Sequence, residues 1–132
     1  MRSTLYLNVL DKRFRKDPTM TGFFASNLDE LERKEFSKGV WLHAFGGRSL
    51  SFARVEFEPG VAATRHSHKS EQGGLVLAGT LTIEAGGRVE TLREGDVYLL
   101  QSGVTHLFEA GPEGALIVEA FSPPRDNARK VL

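Results

Sequence analysis

The sequence predicts an all-β fold of short strands, arranged as a sandwich or a barrel. Fourteen glycines and five prolines in 132 residues mark frequent tight turns. Between those turns, short runs of alternating or wholly apolar residues follow one another from Val40 onward, as strands do. Such even spacing of short strands is the pattern of sandwiches and barrels. The length suits one domain with a real core, so residues 1–132 are read as one unit. Its expected parts are an N-terminal strand or arm at 1–20, a barrel core at 40–122 and a C-terminal tail at 123–132.

In chain order, Leu5, Leu7 and Val9 share one parity and predict a half-buried strand over residues 3–10. That strand belongs either to an edge of its own subunit or to an arm reaching a partner. The charged run from Asp11 to Asp17, closed by Pro18, is a connector. Asn27 followed by Glu30 reads as a helix cap with its reciprocal glutamate. With Leu28 and Leu31 it predicts one or two helical turns through Glu35. Strands follow at Val40 to Phe45, after which Gly46-Gly47 turns the chain, and at Ser49 to Phe57, with apolar residues on both faces. Pro59-Gly60 is a turn. Leu75, Leu77, Leu81 and Ile83 share a parity, so Leu75 to Glu84 is a strand bent at Gly79. Gly86-Gly87 makes a hairpin into Val89 to Leu92. Asp96 to Leu100, Thr105 to Glu109 and Ala115 to Phe121 complete the strands. The tail after Pro123-Pro124 is polar and is expected at the periphery.

Seventeen basic and seventeen acidic side chains give a formal net charge of zero. No global field draws nucleic acid or an anionic membrane. The absence of cysteine excludes disulfides, thiolate nucleophiles and Cys-ligated metal centres, and agrees with a cytoplasmic protein. Leu5 to Leu10 is too short and mixed for a signal peptide. No stretch is long and apolar enough to span a membrane as a helix.

The chemistry-bearing residues are concentrated in two places. The chain has four histidines, and two of them are His66 and His68. At i and i+2 on a strand, both imidazoles point to one face and can converge on one ion. Gln72 follows at the start of the next strand, where its amide oxygen can be a third ligand. His106 arrives from a separate strand after the Gly103 turn and can close the site. Glu71 is the rival to Gln72, but in extended backbone it points away from it. His-x-His alone equally describes two solvated surface histidines, and the context decides between the readings. Residues 60–79 read GVAATRHSHKSEQGGLVLAG and residues 95–110 read GDVYLLQSGVTHLFEA.

These stretches resemble the two motifs of the cupin superfamily. Gly60, His66, His68, Gln72 and Gly79 keep the spacing of the first motif, and Gly95, Gln101, Gly103 and His106 that of the second. Gln72 stands where most cupins have glutamate, Gln101 replaces a proline, and Ala110 replaces an asparagine. The resemblance implies a double-stranded β-helix, the jelly-roll barrel of RmlC-like proteins. It also implies one divalent metal ion held by His66, His68, Gln72 and His106. All four side chains are neutral, so the ion keeps its full formal charge and favours an anionic substrate. Zinc, nickel, manganese, iron or cobalt all suit such a set.

HSHKSEQ and the ending FSPPRDN at residues 121–127 narrow the resemblance. They look like the small single-domain cupins that open 4,5-unsaturated monouronates in pectin and alginate breakdown. That group uses an acidic residue, then a phenylalanine and an arginine, at the spacing of Glu119, Phe121 and Arg125. The acidic residue is usually aspartate, and here it is glutamate. On the residues alone, Glu119 and Phe121 share a strand face. A carboxylate among apolar walls can work as an acid or base, and Arg125 can clamp a substrate carboxylate. A solvent-facing Glu119 and a surface ion pair for Arg125 are the plainer alternatives. His43, Tyr98, Arg54 and Arg65 are further candidates to line the pocket, and of these His43 and Tyr98 join Phe121 as the expected substrate contacts. Asp96 is an ordinary turn residue.

The expected function is a metal-dependent enzyme of carbohydrate metabolism acting on a small anionic substrate, by ring-opening or isomerisation of an unsaturated uronate. A cupin dioxygenase using iron, nickel or copper, and a non-catalytic sugar-binding or sensing protein, are the other two readings. The resemblance also implies a homodimer.

Overall fold

The computed structural model describes residues 22–132. The predicted strand at residues 3–10, and the whole arm at 1–20, lie outside the described residues. Apart from one short 3-10 turn, η1 (Leu28–Glu30), the regular structure is β. The strands are β1 (Arg33–Ser37), β2 (Val40–Gly46), β3 (Ser51–Phe57), β4 (Glu71–Ala85), β5 (Arg88–Arg93), β6 (Val97–Leu100), β7 (His106–Ser122) and β8 (Arg129–Lys130).

They form one sheet in the order β1-β2-β3-β7-β4-β5, with β6 added to β4 and β8 to β2. All pairings are antiparallel except the parallel β2–β8 pair. The two long strands, β4 and β7, make the sheet double back. The first half of β4 pairs with β6 and with the end of β7. Its second half pairs with β5 and with the start of β7. Inward-facing Val40, Leu42, Val55, Phe57, Val76, Leu81, Phe108 and Ile117 form one buried core.

Several expectations need correction. The helix predicted through Glu35 stops after η1. Asn27 does cap it, accepting from the Asp29 amide at 2.9 Å, but Leu31 is already extended and Arg33 begins β1. A helix that short pays nucleation without an apolar face to bury, whereas β1 gains a full antiparallel partner in β2. Ser51–Phe57 buries one face only, with Ser51, Ala53, Val55 and Phe57 inward and Phe52 stacked outside on Phe45 at 5.4 Å. Leu75 and Leu77 do not share a face with Leu81 and Ile83. The register of β4 against β7 shifts twice, at Val76/Ala78 and at Gly79/Leu81, so the buried set changes parity and Val76 replaces its leucine neighbours. The two strands predicted at 105–109 and 115–121 are halves of β7. Residues 111–114 step out of the ladder between them, since Gly79 faces Ala115 while Leu81 faces Ala110. The tail is not wholly peripheral: Val131 is buried and its amide bonds the Gly46 carbonyl at 3.0 Å.

Candidate metal centre

His66 and His68 do not sit in a named strand. The segment from Gly60 runs in extended form beside the first half of β7, held by amide–carbonyl bonds from Ala63 to Phe108, Ala110 to Val61 and Gly60 to Gly111. His66 and His106 close this run by exchanging both backbone bonds, at 3.1 and 2.9 Å. A bonded antiparallel pair of this kind sets two residues side by side, and so the two motifs meet.

One ring nitrogen from each of His66, His68 and His106 lies within 4.8 Å of the others. Each Nδ1 faces a main-chain carbonyl: His66 to Thr64 at 2.7 Å, His68 to Ser70 at 2.9 Å and His106 to Val104 at 2.8 Å. A carbonyl only accepts, so each Nδ1 donates and each Nε2 is left with a lone pair. The His106 Nε2 is buried with no partner. The His68 Nε2 lies 2.9 Å from the Gln72 Oε1. The amide nitrogen of Gln72 is engaged elsewhere, donating to Glu119 Oε1 at 2.7 Å, so oxygen and imine nitrogen confront each other as two acceptors. Two acceptors at that distance repel unless a cation lies between or beside them. The donor set therefore fits a divalent metal ion, and the main-chain carbonyls behind the three rings orient them as metal sites require.

Burial lowers the pKa of His106 from 6.5 to about 4. Burial, aided by the nearby Arg125 charge, also lowers that of His68. Both rings are thus neutral at physiological pH, the form that binds metal. Glu119, on β7, is buried, and desolvation raises its carboxyl from 4.5 to about 7, against the pull of bonds from Tyr98 and Gln72 and of the Arg125 charge. Tyr98, on β6, donates to Glu119 Oε1 at 2.5 Å.

These groups share one pocket. Its polar end is His66, His68, Gln72, His106, Glu119 and Arg125, and its walls include Val40, Leu42, Val55, Phe57 and Phe121. The cavity of about 50 Å³ between them has room for an ion with a few waters or a small substrate group. Phe121 packs edge-on to His68 at 5.9 Å. The Arg125 guanidinium lies 6.0 Å from the Phe121 ring, and the Arg125 amide bonds Ser51 Oγ at 3.0 Å.

Two expected substrate contacts are placed elsewhere. His43 alternates with the inward Leu42 and Ala44, so it faces the other side of β2, where partial burial and then the Arg54 charge lower its pKa. Tyr98 is not part of the pocket wall and stands behind Glu119. Of the lower-ranked candidates, Arg54 pairs with Asp29 at 2.6 Å and Arg65 with Glu84 at 3.1 Å, both at the surface. Glu71 is exposed and Gln72 buried, as their alternation requires. Sequence reasoning missed Ser70. Its carbonyl receives His68 and its hydroxyl donates to the Pro123 carbonyl at 2.6 Å, tying the histidine segment to the chain that carries Arg125.

A cupin domain model matches residues 53–120, just over half the chain. The chain belongs to the cupin family. Its fold is the cupin jelly-roll. An RmlC-like cupin from Shewanella frigidimarina superposes with a TM-score of 0.72 at 22% identity, covering 77% of this chain and 92% of that one. KdgF from Halomonas sp. superposes with a TM-score of 0.71 at 28% identity, covering 81% of this chain and 98% of that one. Oxalate decarboxylase from Bacillus subtilis, a protein with Mn(II) centres, gives a TM-score of 0.66 at 21% identity, with 80% of this cupin covered but only 32% of the decarboxylase. Comparison with curated proteins gives no match.

Proposed function

We propose that this cupin is a metal-dependent enzyme that opens or isomerises a small unsaturated uronate. The observation that carries the reading is the convergence, in one pocket, of three imidazole lone pairs, the Gln72 amide oxygen, the Glu119 carboxyl and the Arg125 guanidinium. The motif resemblance to the uronate-opening cupins supports it, as does the likeness to KdgF over nearly its whole length.

In this reading His66, His68, Gln72 and His106 hold one divalent ion, which supplies a Lewis acid for a substrate oxygen. Arg125 holds the substrate carboxylate in two-pronged fashion. Phe121 gives the sugar ring an apolar wall. Glu119 moves the proton. Both of its hydrogen bonds fall on Oε1, so Oε2 is the oxygen free to serve substrate. A carboxyl raised to about 7 by burial is poised to give and take a proton near neutral pH. A homodimeric assembly and cytoplasmic residence belong to the same proposal.

The test is incubation of metal-replete protein with a 4,5-unsaturated monouronate, following loss of the double-bond absorbance. Turnover that disappears with chelator and returns with metal supports the reading. Oxygen uptake with any substrate while the uronate stays intact would replace it with the dioxygenase reading. Tight uronate binding without turnover would make the protein a sugar-acid binder.

A further inference from the structure

Tyr98, Gly74 and Glu119 occupy one row across three neighbouring strands. Gly74 is the register partner of Tyr98 on β6 and of Glu119 on β7. A Cβ on Gly74 would overlap the Tyr98 ring and hydroxyl. The bare backbone there is what lets the phenol lie flat across β4 and reach Glu119 Oε1. The same Oε1 accepts from the Gln72 amide nitrogen at 2.7 Å, and Gln72 Oε1 then lies 2.9 Å from His68 Nε2. Four residues are thus linked up to the metal cradle: Tyr98 and Gln72 both donate to Glu119, and the Gln72 oxygen faces His68.

A carboxamide ligand has a problem that a carboxylate lacks. Turned by half a rotation, it offers a cation an NH₂ group with no lone pair to give. Something must hold it oxygen-first. Here a flipped Gln72 would set its oxygen against Glu119 Oε1, acceptor against acceptor, and give up its donor bond to Glu119 while blocking the His68 lone pair. That penalty works only while Glu119 stays in place, and the Tyr98 hydroxyl is what pins it there.

We propose that Tyr98 is a positioning residue for the metal centre: laid over Gly74, it fixes Glu119, and Glu119 fixes Gln72 with its oxygen toward the ion. This rests on the reading of His66, His68, Gln72 and His106 as ligands. It gives Gly74 a stated purpose and places Glu119 in a second, orienting role.

The test is cobalt(II) affinity, by competition with a chromogenic chelator, together with the visible spectrum of the cobalt-loaded protein. Wild type, Y98F, E119A and the double variant Y98F/E119A form a cycle. Y98F should weaken cobalt binding about tenfold, the usual scale for a lost orienting partner, and should change the ligand-field bands. In the E119A background Y98F should add almost nothing, because its target is gone. G74A, which displaces the phenol without removing it, should reproduce Y98F. If wild type binds cobalt but Y98F matches it in affinity and spectrum, the positioning role is wrong and the metal site stands. Equal Y98F losses with and without Glu119 would also overturn it, since Tyr98 would then act by general packing. If wild type fails to bind cobalt and other divalent ions, the ligand reading falls and this inference with it.

Discussion

Glu119 and His106 are both buried, and burial moves their titrations in opposite directions. The folded Glu119 carboxyl keeps a proton up to about pH 7, whereas its ordinary value is 4.5. Folded protein binds more protons than unfolded chain in that window, so this group removes stability as pH rises through it. His106 behaves inversely. Lowered from 6.5 to about 4, it makes the unfolded chain the better proton binder, so stability is lost as pH falls from 6.5 toward 4. In metal-free protein the two trends oppose each other. Metal-free E119Q, lacking the first, should show a urea midpoint that climbs steadily from about pH 4 to 6.5, while wild type stays flatter. Equal slopes would mean that Glu119 titrates at its ordinary value. Arg125→Ala should raise KM for an anionic substrate by roughly tenfold to a hundredfold, the worth of a charged hydrogen bond, with a smaller change in kcat, measured by steady-state kinetics. At this scale the cluster was readable in advance: His66, His68, Gln72 and His106 were marked by spacing. Tyr98 was misjudged as a substrate contact. Its partner is 21 residues away, and the link runs through a glycine whose importance is that nothing is attached to it.

β4 and β7 carry the element-level argument. Gly79 sits at φ +74°, and a Cβ on it would run into the Gly114 carbonyl of the facing strand. G79A should therefore cost about 2 kcal/mol or more and lower the melting temperature by roughly 8 °C. Gly87 has a similar φ of +78° but open space around it, so G87A should cost about half as much. Calorimetry on the two variants separates steric overlap from backbone strain alone. The hairpins and most strand positions were legible because glycine pairs and alternation mark them. β1 was not, since Arg33, Lys34 and Glu35 sit exposed on an edge and carry no apolar rhythm. β8 has two residues, too few for any period. The parity switch in β4 was hidden as well: local alternation cannot reveal a bulge that is decided by the partner strand.

For the whole molecule, metal and fold should be linked. An ion that binds only the native state stabilises it by about 2.7 kcal/mol at a free concentration of 100 Kd. Chelator-treated protein should therefore melt about 10 °C below the metal-replete form, and the gap should vanish in H106A. Differential scanning calorimetry at two metal concentrations checks this. The fold class followed from turn frequency and alternation, and the family from two spaced motifs. What the sequence left unspoken was the means of bringing those motifs together, the pairing of His66 with His106 across 40 positions of chain.

The three imidazoles lean on main-chain carbonyls of Thr64, Ser70 and Val104, not on the cation. Their posture is consequently settled before any cation arrives. Capture then needs no rearrangement of protein, and its speed is governed by how readily the incoming ion sheds its own water. Ions that exchange water quickly should load within the dead time of a stopped-flow mixer, and sluggish ones such as nickel should lag behind by their hydration kinetics alone.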